Sequence, residues 1–245
     1  MLLTSEYALV CTADYQKGFL YKGASHLRLL QELYFSYQQL CKPLFQVINC
    51  FPMDGTLQQM YHLNPSYVLQ PEACITPMID AELLDKAVYP QLPEREKFIK
   101  QALTLLDENR SLLSHKKATI FFTLSGLRQF LNSGRVHEIP DELYRPLTLD
   151  ERKQLITGML PYCEKGIYRL LKYPLNQLTE NLHLVVNHSM GYLLFQDIRG
   201  HILCFTFNEP SLLGAFLDYM ENLENGYLYP CKDAAQLVRE LLNEY

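Results

Sequence analysis

Apolar residues recur at three- and four-residue spacing through Leu27, Leu30, Leu33, Tyr34, Tyr37, Leu40 and Cys41. Such a stripe fits one buried face of an α-helix, with Ser25 as its cap and Pro43 as its stop. Ahead of it, residues 7–11 and 19–21 read as two short strands around a turn containing Lys17 and Gly18. Behind it, LFQVINCF suits a buried strand, and a short helix is expected over residues 54–63. Pro65, Pro71 and Pro77 then interrupt the chain, which predicts an irregular connection lying over the surface.

Asp80 is placed to cap a helix over residues 80–88, and the longest helix is expected over 93–117, with Pro93 in its first turn. Phe98, Ala102, Leu105, Leu106, Leu112 and Leu113 form its apolar face, and His115, Lys116 and Lys117 fall where positive charge suits a helix C-terminus. ATIFFT reads as a strand; Thr123 or Ser125 opens a helix, and Gly134 suits its end. Residues 135–147 contain Pro140 and Pro146 and form a loop, after which Thr148 and Glu151 match the capping box of a further helix. The loop is expected to bridge two halves of the fold, and the expected division of the chain is an N-terminal α/β part, residues 1–90, and a C-terminal α+β part, residues 91–245, or one compact domain 1–245.

LHLVVNH, GYLLFQDI and HILCFTF are strand-like runs with short connections, the spacing of an antiparallel meander. A two-residue turn at Arg199-Gly200 would set Leu194 opposite Phe205, Gln196 opposite Leu203 and Phe195 opposite Cys204. Both faces are apolar, so both need cover. The helix carrying Leu213, Phe216, Leu217, Met220 and Leu223 supplies one, and a last helix presents Ala234, Val238, Leu241 and Leu242. The expected class is α+β, helix-rich, with a C-terminal antiparallel meander covered by helices and further short strands in the N-terminal half.

Composition narrows the function. A net charge of -5 across 245 residues removes the broad attraction to phosphates that a nucleic-acid binder uses. The start, MLLTSEYALVCTADYQKGF, lacks the charged and apolar regions of a leader, and no window approaches the ~18 apolar residues of a membrane span. A cytoplasmic location is therefore expected. Seven scattered cysteines without a C-x-x-C pair argue against a disulfide framework and a thiolate zinc site. Tyr is abundant at 17 and Trp absent, a composition that serves half-buried packing or a pocket for an amphipathic ligand.

The motifs of catalysis are missing. There is no G-x-G or G-K pair for a phosphate cradle and no G-x-S-x-G elbow. Ser114 to Lys117 satisfies S-x-x-K, but at the end of a helix where that motif needs a beginning. His183, His188, Asp197, His201 and Cys204 crowd one meander, yet 183 and 188 have opposite strand parity, and histidines at strand ends of hairpins are usually solvated. No catalytic residue, metal ligand or cofactor is assigned. Helices at 148–159 and 162–172 would imitate a helix-turn-helix with Lys165, Arg169 and Lys172 as a basic stripe, against which stands the reading of GIYRLL as a strand.

At LRQFLNSGRVHEIPDELYRPLTLDERKQLI, with PEREKFIK before it and NEPSLLGAFLDYMENL after it, the chain resembles the C-terminal effector portions of bacterial helix-turn-helix regulators of the lambda-repressor-like type. The likeness runs over residues 90–225 and is one of phrasing, so it carries over no site residue. It implies a regulatory domain whose DNA-binding module precedes this segment, or a stand-alone relative. The expected function is a non-catalytic sensing or interaction domain that takes a small-molecule or peptide effector and pairs as a homodimer, without direct nucleic-acid or membrane contact. Residues 208–223 or the last helix are the expected dimer face. Arg135, Glu138 and Arg145, on the connecting loop, are the expected ligand contacts. The competing expectation is a hydrolase or transferase with a Cys/His/Asp site that meets only in the fold.

Overall fold

The computed structural model describes residues 2–3, 7–11, 17–38, 46–49, 65–114, 118–136, 139–172, 183–196 and 202–245. The chain divides into two units, Met1–Leu44 and Phe45–Tyr245.

In the first unit, β1 (Leu2–Leu3), β2 (Tyr7–Cys11) and β3 (Gly18–Lys22) form an antiparallel sheet in that order. Helix α1 (Ala24–Gln38) follows directly. Gly23, at φ 100°, makes the left-handed corner between β3 and α1, and its carbonyl accepts from Leu27 N at 3.1 Å. Ser25 thus lies inside the first turn of α1, and the end of the expected stripe, Leu40 and Cys41, is outside the described residues. Among the described residues of this unit, Ala8 and Leu27 are buried.

The second unit holds a seven-stranded mixed sheet in the order β4-β10-β9-β8-β5-β6-β7. Its strands are β4 (Gln46–Asn49), β5 (Tyr67–Leu69), β6 (Thr119–Phe122), β7 (Tyr168–Leu170), β8 (His183–Val186), β9 (Gly191–Gln196) and β10 (Ile202–Phe207). β5, β6 and β7 are parallel, and every other pairing is antiparallel. The helices are α2 (Ala81–Ala87), α3 (Arg95–Ser114), α4 (Leu124–Ser133), α5 (Leu149–Glu164), α6 (Pro210–Gly226) and α7 (Cys231–Asn243). The class is α+β. No helix among the described residues is long and apolar enough to cross a membrane.

Strand alternation divides the core in two. Val68, Ile120, Phe122, Tyr168, Leu170, Val185 and Leu194 join the buried residues of α2, α3, α4, α5 and α7 in one cluster. Leu69, Phe121, Leu184, Val186 and Phe207 join Leu213, Met220 and Leu223 of α6 in the other. With both faces covered, parallel strands become continuous apolar runs such as TIFF, each fully buried Phe contributing ~1.5–3 kcal/mol.

Three expectations need correction. The proline-broken segment is neither irregular nor superficial. β5 sits between β8 and β6 in the body of the sheet, and Leu69, Gln70, Ala73 and Ile75 are wholly buried. Pro65 precedes the strand and Pro71 follows it, so no ladder donor is lost. The β9–β10 register is Leu194 to Cys204, Phe195 to Leu203 and Gln196 to Ile202, one residue from the expectation, because the connection between the paired ends has an odd number of residues. The helix-turn-helix candidate is one continuous helix, α5, running through Gly158 and Pro161, followed by β7 where a second helix would start. The helix expected over 54–63 lies outside the described residues.

Candidate functional site

At the carboxyl end of β5 the chain folds sharply. Gln70 N donates to Phe121 O at 3.0 Å, which extends the β5–β6 pairing, and Ala73 N donates back to Gln70 O at 2.9 Å. Ala73 takes a left-handed conformation, φ 63°. From β6, Thr123 N donates to Pro71 O at 3.0 Å, and the Thr123 hydroxyl donates to the same carbonyl at 3.3 Å. That hydroxyl accepts from Gly126 N at 3.0 Å and from Ser125 Oγ at 3.1 Å, so it caps α4 while holding the neighbouring loop. Contact is close enough that a Cβ on Gly126 would lie 2.1 Å from the Pro71 carbonyl group and 2.6 Å from Glu72 N. The far side of the loop is held by Arg110 Nε, donating to Pro77 O at 2.8 Å, and by the Tyr168 hydroxyl, donating to Cys74 O.

This rigid corner buries polar groups. Gln70 is 0% and Glu72 3% exposed. Gln70 Nε2 donates to Glu72 Oε1 at 3.3 Å, while Gln70 Oε1 is buried with no hydrogen-bond partner among the described residues. Leu69, the last residue of β5, pairs with Leu184 of the antiparallel β8, whose first residue is His183. His183 is 6% exposed and sits edge-on to the Tyr192 ring, centroids 6.2 Å apart. Gln70, Glu72, Thr123 and His183 are therefore four of the buried polar residues of the unit, gathered where β5 and β6 end.

Two of the loop residues expected to contact a ligand, Arg135 and Arg145, make hydrogen bonds within the chain. Arg135 Nη1 donates to Asp141 O at 3.1 Å and Tyr144 O at 2.7 Å, and the guanidinium lies 5.2 Å from the centre of the Tyr144 ring. The Tyr144 hydroxyl accepts from Val136 N at 2.6 Å, and burial pushes this phenol up to about 12. Arg145 engages Glu151 with both arms, at 2.8 and 2.7 Å. Glu151 also accepts from Thr148 N at 2.7 Å, completing the expected capping box, and the Arg145 hydrogen bonds hold its carboxyl down at about 2. Arg152 donates to Leu147 O and Leu131 O, each at 2.6 Å, fastening the loop end to α4. Arg135 and Arg145 thus brace one loop through separate partners; Glu138 lies outside the described residues.

Of the histidines weighed for metal binding, His183 is buried rather than solvated, because its strand is interior to the sheet, whereas His188 is exposed at the hairpin tip. Asp197 and His201 lie outside the described residues, among which no three His, Cys, Asp or Glu side chains are grouped to hold a metal ion. Ser114 ends α3, and its S-x-x-K partner lies outside the described residues. Cys163 and Cys231 are free thiols, and burial raises the Cys163 thiol to about 12, which suppresses its thiolate. Sequence reasoning missed Gln70 and Glu72. Two polar residues flanking Pro71 directly after an apolar run were the available signal.

No family model matches this sequence, and no curated protein matches it. Among solved structures, the chain is similar to TrmBL2, an archaeal chromatin protein described with a novel mode of DNA binding, at a TM-score of 0.36 and 8% identity. The match covers 83% of this chain and 61% of that one.

Proposed function

We propose that this chain is a non-catalytic recognition domain, the effector part of a bacterial transcriptional regulator, which takes a small polar ligand at the carboxyl ends of β5 and β6. The observation that carries this reading is Gln70 Oε1, a wholly buried acceptor without a hydrogen-bond partner among the described residues. Leaving such a group unpaired costs ~1–3 kcal/mol, which a ligand N–H or O–H recovers. A buried acceptor that lacks a donor selects a ligand that carries one: an amine, an amide or a polyol. The carboxyl ends of parallel strands are also where sheets of this kind commonly place ligands.

The regulatory half of the proposal draws on the likeness to effector portions of lambda-repressor-like regulators, whose phrases fall on α4, the braced loop, α5 and α6. A ligand acts on such a domain only through unequal affinity for two states. The coupling element is Gly126, whose backbone rests on Pro71 and Glu72, so that a change at the corner is passed to α4.

The test is a thermal-unfolding screen of amines, amides and polyols against the wild-type chain and Gln70→Leu. The expected result is a ligand that stabilises the wild type and binds the variant at least ~10-fold more weakly, each shift being measured from that protein's own unliganded midpoint. Equal stabilisation of both proteins, or no stabilising compound in those classes, would overturn the proposal.

A further inference from the structure

In the first unit, Tyr7, Phe19, Leu20, Tyr21 and Leu29 stand open to solvent, Phe19 at 54% and Leu20 at 60%. All five residues of β3 are exposed. Its ladder partner among the described residues is β2 alone, so β3 is the sheet's edge and presents an open row of N–H and C=O groups. Soluble proteins blunt such edges with proline, a bulge or a charge; β3 has no proline, its register with β2 is unbroken, and its one charge, Lys22, stands at its end. Each helix expected to supply a dimer face buries one of its sides within its own unit. α6 buries Leu213, Met220 and Leu223 on the sheet of the second unit, and α7 buries Ala234, Ala235, Val238 and Leu241.

We infer that β3 pairs antiparallel with β3 of a second copy of this chain, about a two-fold axis at Leu20. The strand's own sequence selects this occupant. Antiparallel self-pairing about Leu20 sets Phe19 opposite the partner's Tyr21 and Gly18 opposite the partner's Lys22, so that each ammonium faces a glycine. Parallel in-register pairing would instead set each Lys22 beside its equivalent, and like charges directly opposed are destabilising. Lys22 is already turned onto its own sheet, with Nζ 5.0 Å from the centre of the Tyr7 ring, which leaves the edge clear. The product is a continuous six-stranded sheet, and an isologous contact of this kind closes at two copies.

The inference concerns a different unit from the ligand proposal, and either can fail without the other. Its test is the mass of the full chain in solution by light scattering or sedimentation, with Leu20→Asp and Leu20→Lys as variants. Wild type is expected at the mass of two chains. Each variant alone is expected at the mass of one, with unchanged circular dichroism, because like charges then meet on the axis. An equimolar mixture of the two variants is expected to return to the mass of two, which separates a disrupted contact from a disrupted fold. A monomeric wild type, a dimer that persists in both variants, or folded variants that do not associate when mixed would each overturn it.

Discussion

Arg145 holds Glu151 with both arms of its guanidinium while Glu151 closes the capping box at the start of α5. One carboxylate therefore ends the connecting loop and begins a helix. The arrangement turns a stretch that looks like a flexible tether into a brace, since each end is anchored by an arginine and Tyr144 is packed between.

The pH dependence follows from that pair. The Glu151 carboxyl titrates near about 2 in the folded chain and near ~4.3 when unfolded, so its contribution is present above the unfolded value and is lost as pH falls toward the folded one. The pair is partly exposed, with side chains 33% and 18% accessible, and solvent screening limits the effect to on the order of 1–2 kcal/mol. Glu151→Gln is expected to flatten the loss of stability between about pH 5 and 2, as read by denaturant unfolding at successive pH values. An unchanged slope would show that the brace contributes nothing in solution.

Two glycines in helices are expected to behave oppositely. A methyl group at Gly126 meets the Pro71 carbonyl at 2.1 Å, whereas one at Gly214 meets nothing within 4 Å. Gly126→Ala should cost about 3 kcal/mol or more because the clash is with backbone. Gly214→Ala, in the interior of α6, should be stabilising by ~0.5–1 kcal/mol. Chemical denaturation of both variants checks the pair, and a mild effect at 126 would mean that α4 and the Pro71 turn are not in contact.

Thiol reactivity should follow burial. Cys163 is wholly buried with its thiol raised to about 12, while Cys74 and Cys231 are partly open. Brief alkylation of the native chain at neutral pH, read by peptide mass spectrometry, is expected to label Cys231 and Cys74 well before Cys163. Early labelling of Cys163 would show that the interface of α5 and α7 opens readily.

At high pH the Tyr67 phenol matters. Burial, then its hydrogen bond to Glu224 at 3.1 Å, raises it to about 12. Its contribution is complete below the unfolded value of ~10 and fades as pH climbs through the folded one. Tyr67→Phe should therefore lose less stability than wild type between about pH 10 and 12, measured by thermal unfolding.

Local rules were legible in the sequence because they act over a few residues. The Thr148 capping box, the Asp80 and Thr123 caps, the left-handed Gly134 at the end of α4, and the strands of β6 and β8 to β10 all follow from spacing and residue type alone. The apolar face of α6 likewise announced that it would cover a sheet. What tertiary structure decided was the position of elements whose partners are remote. Three residues of β5 carry too little periodicity to stand out between prolines, and their place in the sheet is set by β6 and β8, more than fifty residues away. Burial of Gln70 and Glu72 follows from that placement, as does the closeness of Gly126 to Pro71. The same reason hid the bracing bonds of Arg135 and Arg145, since the carbonyls and carboxylates within a guanidinium's reach depend on the fold.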